Sequence, residues 1–89
     1  MATNNYEEKA RLLKAIAHPT RLQLLNLMRE DCPCVKVMEE ALGLAQPNIS
    51  QHLSLLRNLG IVESERDGNQ MCYHIKDQNV VRILDTLTE

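Results

Sequence analysis

Apolar residues recur along this chain at spacings that divide it into helices and one hairpin. Between residues 6 and 17, Leu12, Leu13, Ile16 and Ala17 form one stripe, with Arg11 and Lys14 between them. The pattern predicts a helix capped by Asn4 or Asn5, with Glu7 and Glu8 well placed in its electropositive first turn. Residues 1–5 are polar and expected to fray. Pro19 ends this helix, because the residue before a proline is pushed out of the helical region. A second helix is expected through Glu30, with Thr20 at or just after its cap. Leu22, Leu24, Leu25, Leu27 and Met28 cover more than one of its faces, which places it centrally in a small bundle. Arg21 and Arg29 are expected in solvent.

Asp31-Cys32-Pro33-Cys34 interrupts the run. Asp31 as a cap and Pro33 in a first turn suit a third helix carrying Val35, Val37, Met38, Ala41 and Leu42, stopped by Gly43. Leu44 and Ala45 form a turn, and Pro47 is tolerated in the first turn of a fourth helix. Ile49, Leu53 and Leu56 share one side of that helix; Asn48, Ser50, Gln51, Ser54, Arg57 and Asn58 mark the other. Leu55 breaks the pattern and is expected against a neighbouring element. Gly60 stops the helix. A strand opens at Ile61-Val62, Asp67-Gly68 signals a hairpin turn, and residues 71–75 return with Met71, Tyr73 and Ile75 toward the core. A last helix from Asp77 or Asn79 to Leu87 carries Val80, Ile83, Leu84 and Leu87 on one stripe, with Val81 beside it. The order ααααββα is mainly α with a β-hairpin wing (α+β), a winged helix-turn-helix. One domain is expected over 1–89, with the helix-turn-helix at 35–59 and the wing at 61–75.

Composition bounds this picture without redrawing it. A chain of 89 residues buries only a little over ~60% of its unfolded surface, so a partner subunit would complete its core. Phe and Trp are absent, and Leu carries the packing. The net charge of −2 argues against indiscriminate nucleic-acid binding, while specific DNA binding depends on local charge. No apolar segment follows a basic start, and no apolar run approaches the roughly 18 residues of a membrane span, so a cytoplasmic protein without a membrane partner is expected. Paired catalytic carboxylates and phosphate loops cannot be identified, which argues against an enzyme.

The fourth helix has the chemistry of a DNA-reading element. Asn and Gln bond bidentately to adenine, and Ser serves either donors or acceptors in the groove. Asn48, Ser50, Gln51 and His52 lie in its first turns, the part that enters the major groove. Arg57, and Arg66, Asn69 and Gln70 on the wing, suit phosphates. An ordinary wet face of an amphipathic helix would carry similar residues; it is the group, bounded by Gly43 and Gly60 and followed by a hairpin, that points to DNA. His52 borders the apolar side and also fits a structural role.

Three blocks carry a family resemblance: Ala17-His18-Pro19-Thr20-Arg21-Leu22, Gln46-Pro47-Asn48-Ile49-Ser50-Gln51-His52-Leu53, and Leu59-Gly60-Ile61-Val62. Together they resemble the ArsR/SmtB family of winged helix-turn-helix repressors, over about residues 8–85. The resemblance implies a homodimer joined by helices 6–17 and 78–88, bound to an inverted-repeat operator in double-stranded DNA and released by a metal, metalloid or thiol-modifying signal. Leu12, Leu13, Ile16, Val80, Ile83, Leu84 and Leu87 would form that seam, or simply complete a monomer core. Ala45 departs from the family pattern, where a serine would cap the recognition helix; Gln46 or water must then serve its free amides.

Three cysteines are an odd count, poor material for a disulfide scaffold, and better read as reduced thiols, metal ligands or a redox pair. Cys32 and Cys34 match in position the family's Cys-x-Cys element before the recognition helix, where the resemblance implies arsenite, antimonite or another soft ion. Thiolates select soft ions, and a helix start is expected to lower a thiol pKa. Residues two apart on a regular helix point about 200° apart, so both sulfurs bind one ion only from an extended or distorted turn. Two thiols leave such a site short of a ligand. Cys72 is the remaining thiol, either a third ligand or a small buried hydrophobe; His74 alternates with it. The family's second site, on the last helix, is unmatched, since residues 77–89 hold no histidine. The function expected is a sequence-specific repressor that needs no cofactor, with As(III), Sb(III), another soft ion or thiol modification as effector. The alternative is a constitutive DNA-binding or protein-interaction winged helix with structural cysteines.

Overall fold

The computed structural model describes residues 5–88. The expected fraying of residues 1–4 and the alternative cap Asn4 lie outside them. Seven elements follow in order: α1 (Tyr6–Ile16), α2 (Pro19–Leu27), α3 (Val35–Leu42), α4 (Gln46–Asn58), β1 (Val62–Asp67), β2 (Gln70–Ile75) and α5 (Gln78–Thr88). This is the expected ααααββα winged helix-turn-helix.

Local chemistry sets most boundaries. Asn5 caps α1, its Oδ1 accepting from the Glu8 amide at 3.0 Å. At α2 the cap is His18 rather than Thr20: His18 Nδ1 accepts from the Thr20 amide at 3.1 Å, and Pro19 takes the first helical position, where its fixed φ fits and no N–H is missed. The helix ends at Leu27, short of Glu30. Arg21 and Arg29 are not left to solvent. Arg21 Nε donates to the Ala15 carbonyl, joining α2 to α1, and Arg29 pairs with Asp85 of α5.

The start of α3 also differs from expectation. Cys34 is its cap, extended at φ −83° and ψ 165° and without a side-chain bond. Pro33 lies outside the helix, and its carbonyl accepts from the Tyr73 amide at 3.0 Å. Tertiary pairing with the wing holds this segment extended. Gly43 stops α3 at φ 67°, a left-handed conformation that costs a residue without Cβ little. The amides of Gly43 and Leu44 both return to the Glu39 carbonyl, at 2.8 and 3.3 Å.

In the wing, β1 and β2 pair antiparallel from Val62 opposite Ile75 to Asp67 opposite Gln70. The two-residue loop is therefore Gly68-Asn69, one residue later than the Asp67-Gly68 signal; Gly68 has φ 65°, as a tight hairpin with Gly first requires. The far edge of β2 meets Cys34, which bridges antiparallel to Cys72. This flanking explains a second difference. Strict alternation put Met71, Tyr73 and Ile75 inside, yet Cys72 and Ile75 are buried while Met71 and Tyr73 are half-buried.

Leu24, Leu25, Met38, Ile49, Leu53 and Leu56 are fully buried in one core shared by α2, α3 and α4. Ile61 and Val62 extend it into the wing, and Val80 and Leu84 into α5, whose start is capped by Asp77 Oδ1 accepting from the Asn79 amide at 2.9 Å. Leu55 is 40% exposed rather than packed away. Ile16, Val80 and Leu84 belong to the protomer core, whereas Leu13 and Leu87 stay 51% and 63% exposed. Leu12 and Ile83 are half-buried beside them.

Candidate nucleic-acid interface and thiol cluster

Helix α4 is anchored by its buried Ile49, Leu53 and Leu56, which turn the opposite face to solvent. Asn48, Gln51, Ser54 and Arg57 are exposed there. The exposed Arg66, Asn69 and Gln70 sit at or beside the wing tip. No opposing carboxylate pairs with Arg57 or Arg66 among the ion pairs of the described residues.

Two residues of the expected reading set are engaged within the protein. Ser50 is half-buried, and its Oγ accepts from Gln46 Nε2 at 2.6 Å. Gln46 thus turns along the helix toward Ser50 and does not cap α4; the cap position is held by Ala45, with no side-chain bond. The i to i+4 spacing of Gln46 and Ser50 was the available signal for this contact. His52 is half-buried against His18, with ring centroids 4.9 Å apart and planes tilted by 51°. Burial pushes the His52 pKa down, and His18 and Arg21 add to the shift. His52 therefore fastens α4 to the start of α2 and does not project with Gln51.

The cysteines come together from opposite ends of the sequence. Cys32 is exposed, Cys34 half-buried and Cys72 buried. The bridge between Cys34 and Cys72, with the Pro33–Tyr73 hydrogen bond beside it, brings the entry to α3 against β2. The Cys32 thiol lies within hydrogen-bonding reach of the Cys72 thiol. Partial desolvation is the main cause of a raised Cys32 pKa; Cys72 and the carboxylates of Glu65 and Asp67 push the same way. The expected lowering by a helix start does not apply to this thiol. Cys32 stands ahead of the Cys34 cap and meets carboxylates from the wing. Glu65 is the register partner of Cys72 on β1, a neighbour that no local sequence pattern announces.

His74 does not join the thiols. Its Nε2 lies 3.0 Å from Glu63 and its Nδ1 3.5 Å from Glu65. Among the described residues, no three His, Cys, Asp or Glu side chains are placed to hold a metal ion. An open cleft of about 350 Å³ adjoins Cys32, with Arg29, Asp31 and His74 in its walls. A second, of about 400 Å³, lies between α1 and α5 and is lined by Lys9, Leu12, Leu13, Asn79 and Ile83.

Comparison with known proteins matches residues 18–64 to the family described as bacterial regulatory protein, arsR family. The HTH-type transcriptional regulator MJ1325 of Methanocaldococcus jannaschii is 39% identical over 87 residues, covering 94% of this chain and 96% of that protein. The structure is similar to the transcriptional repressor BigR of Xylella fastidiosa, with a TM-score of 0.85 and 35% identity over 92% of this chain and 84% of that one. It is also similar to the homodimeric winged helix-turn-helix DNA-binding domain Mb0332 of Mycobacterium bovis, with a TM-score of 0.82, 29% identity, and 98% and 86% coverage.

Proposed function

Because this chain belongs to the arsR family of bacterial regulatory proteins, whose DNA-binding transcriptional repressors it joins, we propose that it is a homodimer that lets go of an inverted-repeat operator when Cys32 and Cys34 are modified or take up a soft metalloid. The observation that carries this is mechanical. The thiols flank the entry to α3, and α3 packs directly on α4, whose outer face carries Asn48 and Gln51. A change of bonding at Cys32 or Cys34 pulls on the element that supports the reading helix.

Asn48 and Gln51 would read base edges, with Ser50 held nearby by Gln46; Arg57, Arg66, Asn69 and Gln70 would hold phosphates. The apolar cleft between α1 and α5, with exposed Leu13 and Leu87 around it, is the natural seam, and the homodimeric relative supports that assignment. Ile16, Val80 and Leu84 would support it from within. Within the protomer, Cys32 and Cys34 do not form a ready-made three-ligand site, which favours thiol modification over a tetrahedral ion such as zinc.

Operator binding followed by fluorescence anisotropy, with arsenite or a thiol oxidant added, tests this. Wild type should lose at least roughly tenfold in affinity and the Cys32→Ser/Cys34→Ser double variant should keep its binding. An equal response in both proteins, or none in either, would instead identify a constitutive DNA-binding or protein-interaction module with structural cysteines.

A further inference from the structure

We propose that the thiol pair that reacts is Cys32 with Cys72, joined by a small-molecule disulfide into an intramolecular bond between the entry to α3 and the wing. This deepens the proposed function and rests on it for its regulatory meaning, but the pairing itself stands on geometry. The Cys-Pro-Cys sequence suggests Cys32 with Cys34. The structure instead sets the Cys32 thiol beside Cys72 and leaves Cys34 as the extended cap of α3. A Cys32–Cys34 bond would also close a small strained ring.

The two thiols differ in the way a stepwise exchange needs. Cys32 is exposed and opens onto the 350 Å³ cleft, so a small disulfide can reach it. Cys72 is 8% exposed and lies behind it. The Cys32 thiolate attacks one sulfur of the small disulfide, a mixed disulfide forms, and one thiolate leaves. The Cys72 thiolate then attacks the Cys32 sulfur, the protein disulfide forms, and the second thiolate leaves. Two protein thiols are oxidised, one small disulfide is reduced to two thiols, and the two protons pass to the leaving groups or solvent.

Bond formation brings sulfurs from contact to about 2.05 Å. The loop so closed contains α3, α4 and β1, the whole reading unit apart from the return strand. The Cys34–Cys72 bridge already fixes the backbone at one point, so the adjustment falls on Asp31-Cys32-Pro33 and on the first turn of α3. The raised Cys32 pKa fits a pair that stays reduced until disulfide accumulates, and whose exchange quickens with pH.

The test equilibrates the full chain in buffers of reduced and oxidised glutathione, quenches with acid, and maps cysteines by non-reducing peptide mass spectrometry. Wild type and Cys34→Ser should each lose two hydrogens in intact mass and yield a peptide linking Cys32 to Cys72. Cys32→Ser and Cys72→Ala should form no such intramolecular link, with circular dichroism confirming that each remains folded. A link from Cys34 to either other cysteine as the main product, or only stable mixed disulfides, overturns the pairing; wild-type mapping decides this even if a variant fails to fold. Operator binding of the same oxidised sample separates the two proposals. A Cys32–Cys72 link with unchanged DNA affinity upholds the pairing and removes its regulatory role. Release of DNA with a different link does the reverse.

Discussion

Cys34 faces Cys72 across an antiparallel bridge, residues distant in sequence but directly opposed in the fold. Through this one pairing the entry to the helix-turn-helix becomes an edge of the wing. Chemistry at the cysteines and the position of the recognition helix are thereby parts of one mechanical unit, since α3 touches both β2 and α4.

Reactivity of Cys32 should follow its surroundings. Desolvation, Cys72, Glu65 and Asp67 all favour the protonated thiol, so the thiolate fraction at pH 8 is smaller in the folded protein than in the unfolded chain. Iodoacetamide should alkylate Cys32 roughly threefold more slowly in native than in urea-unfolded protein at that pH, with the gap closing at higher pH. Glu65→Gln should speed native alkylation. A native thiol that reacts faster than the unfolded one would contradict the assignment.

His52 gives the fold an acid-sensitive contact. Burial first, then His18 and Arg21, depress its pKa. The stability it contributes is therefore present above the ordinary histidine value, about 6.5, and is lost as pH falls from there through the lower folded value. Melting temperature should decline across that window, and His52→Gln should flatten the decline. An identical pH profile in the variant would show that another group is responsible.

Ala45 leaves the first amides of α4 without a side-chain acceptor. Its extended backbone, φ −73° and ψ 151°, suits a serine. Ala45→Ser should stabilise the protein by about 1 kcal/mol, read as a melting temperature higher by roughly 4–8 °C for a domain of this size. No change in chemical denaturation would mean that water already satisfies those amides.

On DNA, Arg57 and Gln51 should behave differently. Arg57→Ala is expected to weaken binding to all sequences alike and to reduce the salt slope by about 1. Gln51→Ala should mainly alter preference among operators, by about 1–3 kcal/mol at the base it reads. Binding across a set of substituted operators at several salt concentrations separates these effects. Unaltered specificity in Gln51→Ala would remove that residue from the reading set.

Local rules made much of the fold legible. Asn5, Pro19, Gly43 and Pro47 act within a turn of where they stand, so their consequences show in a few consecutive letters. Errors arose where a nearby alternative existed. His18 took the cap expected of Thr20 because a ring nitrogen can accept the amide, and the hairpin loop moved to Gly68-Asn69 once strand register was fixed.

The amphipathic pattern of α4 and the order of helix, turn, helix and hairpin were determined by the sequence itself, because a helix or a tight turn is stabilised by neighbours along the chain. The stretch from Val35 to Val62 reads as a recognition unit for that reason. Tertiary structure alone decided that Cys72 meets Cys32, that His52 turns to His18, and that Ile16, Val80 and Leu84 enter the core while Leu13 and Leu87 remain outside. Each depends on which faces of distant elements meet. That choice is made by burial and strand pairing over the whole chain, which no local spacing encodes.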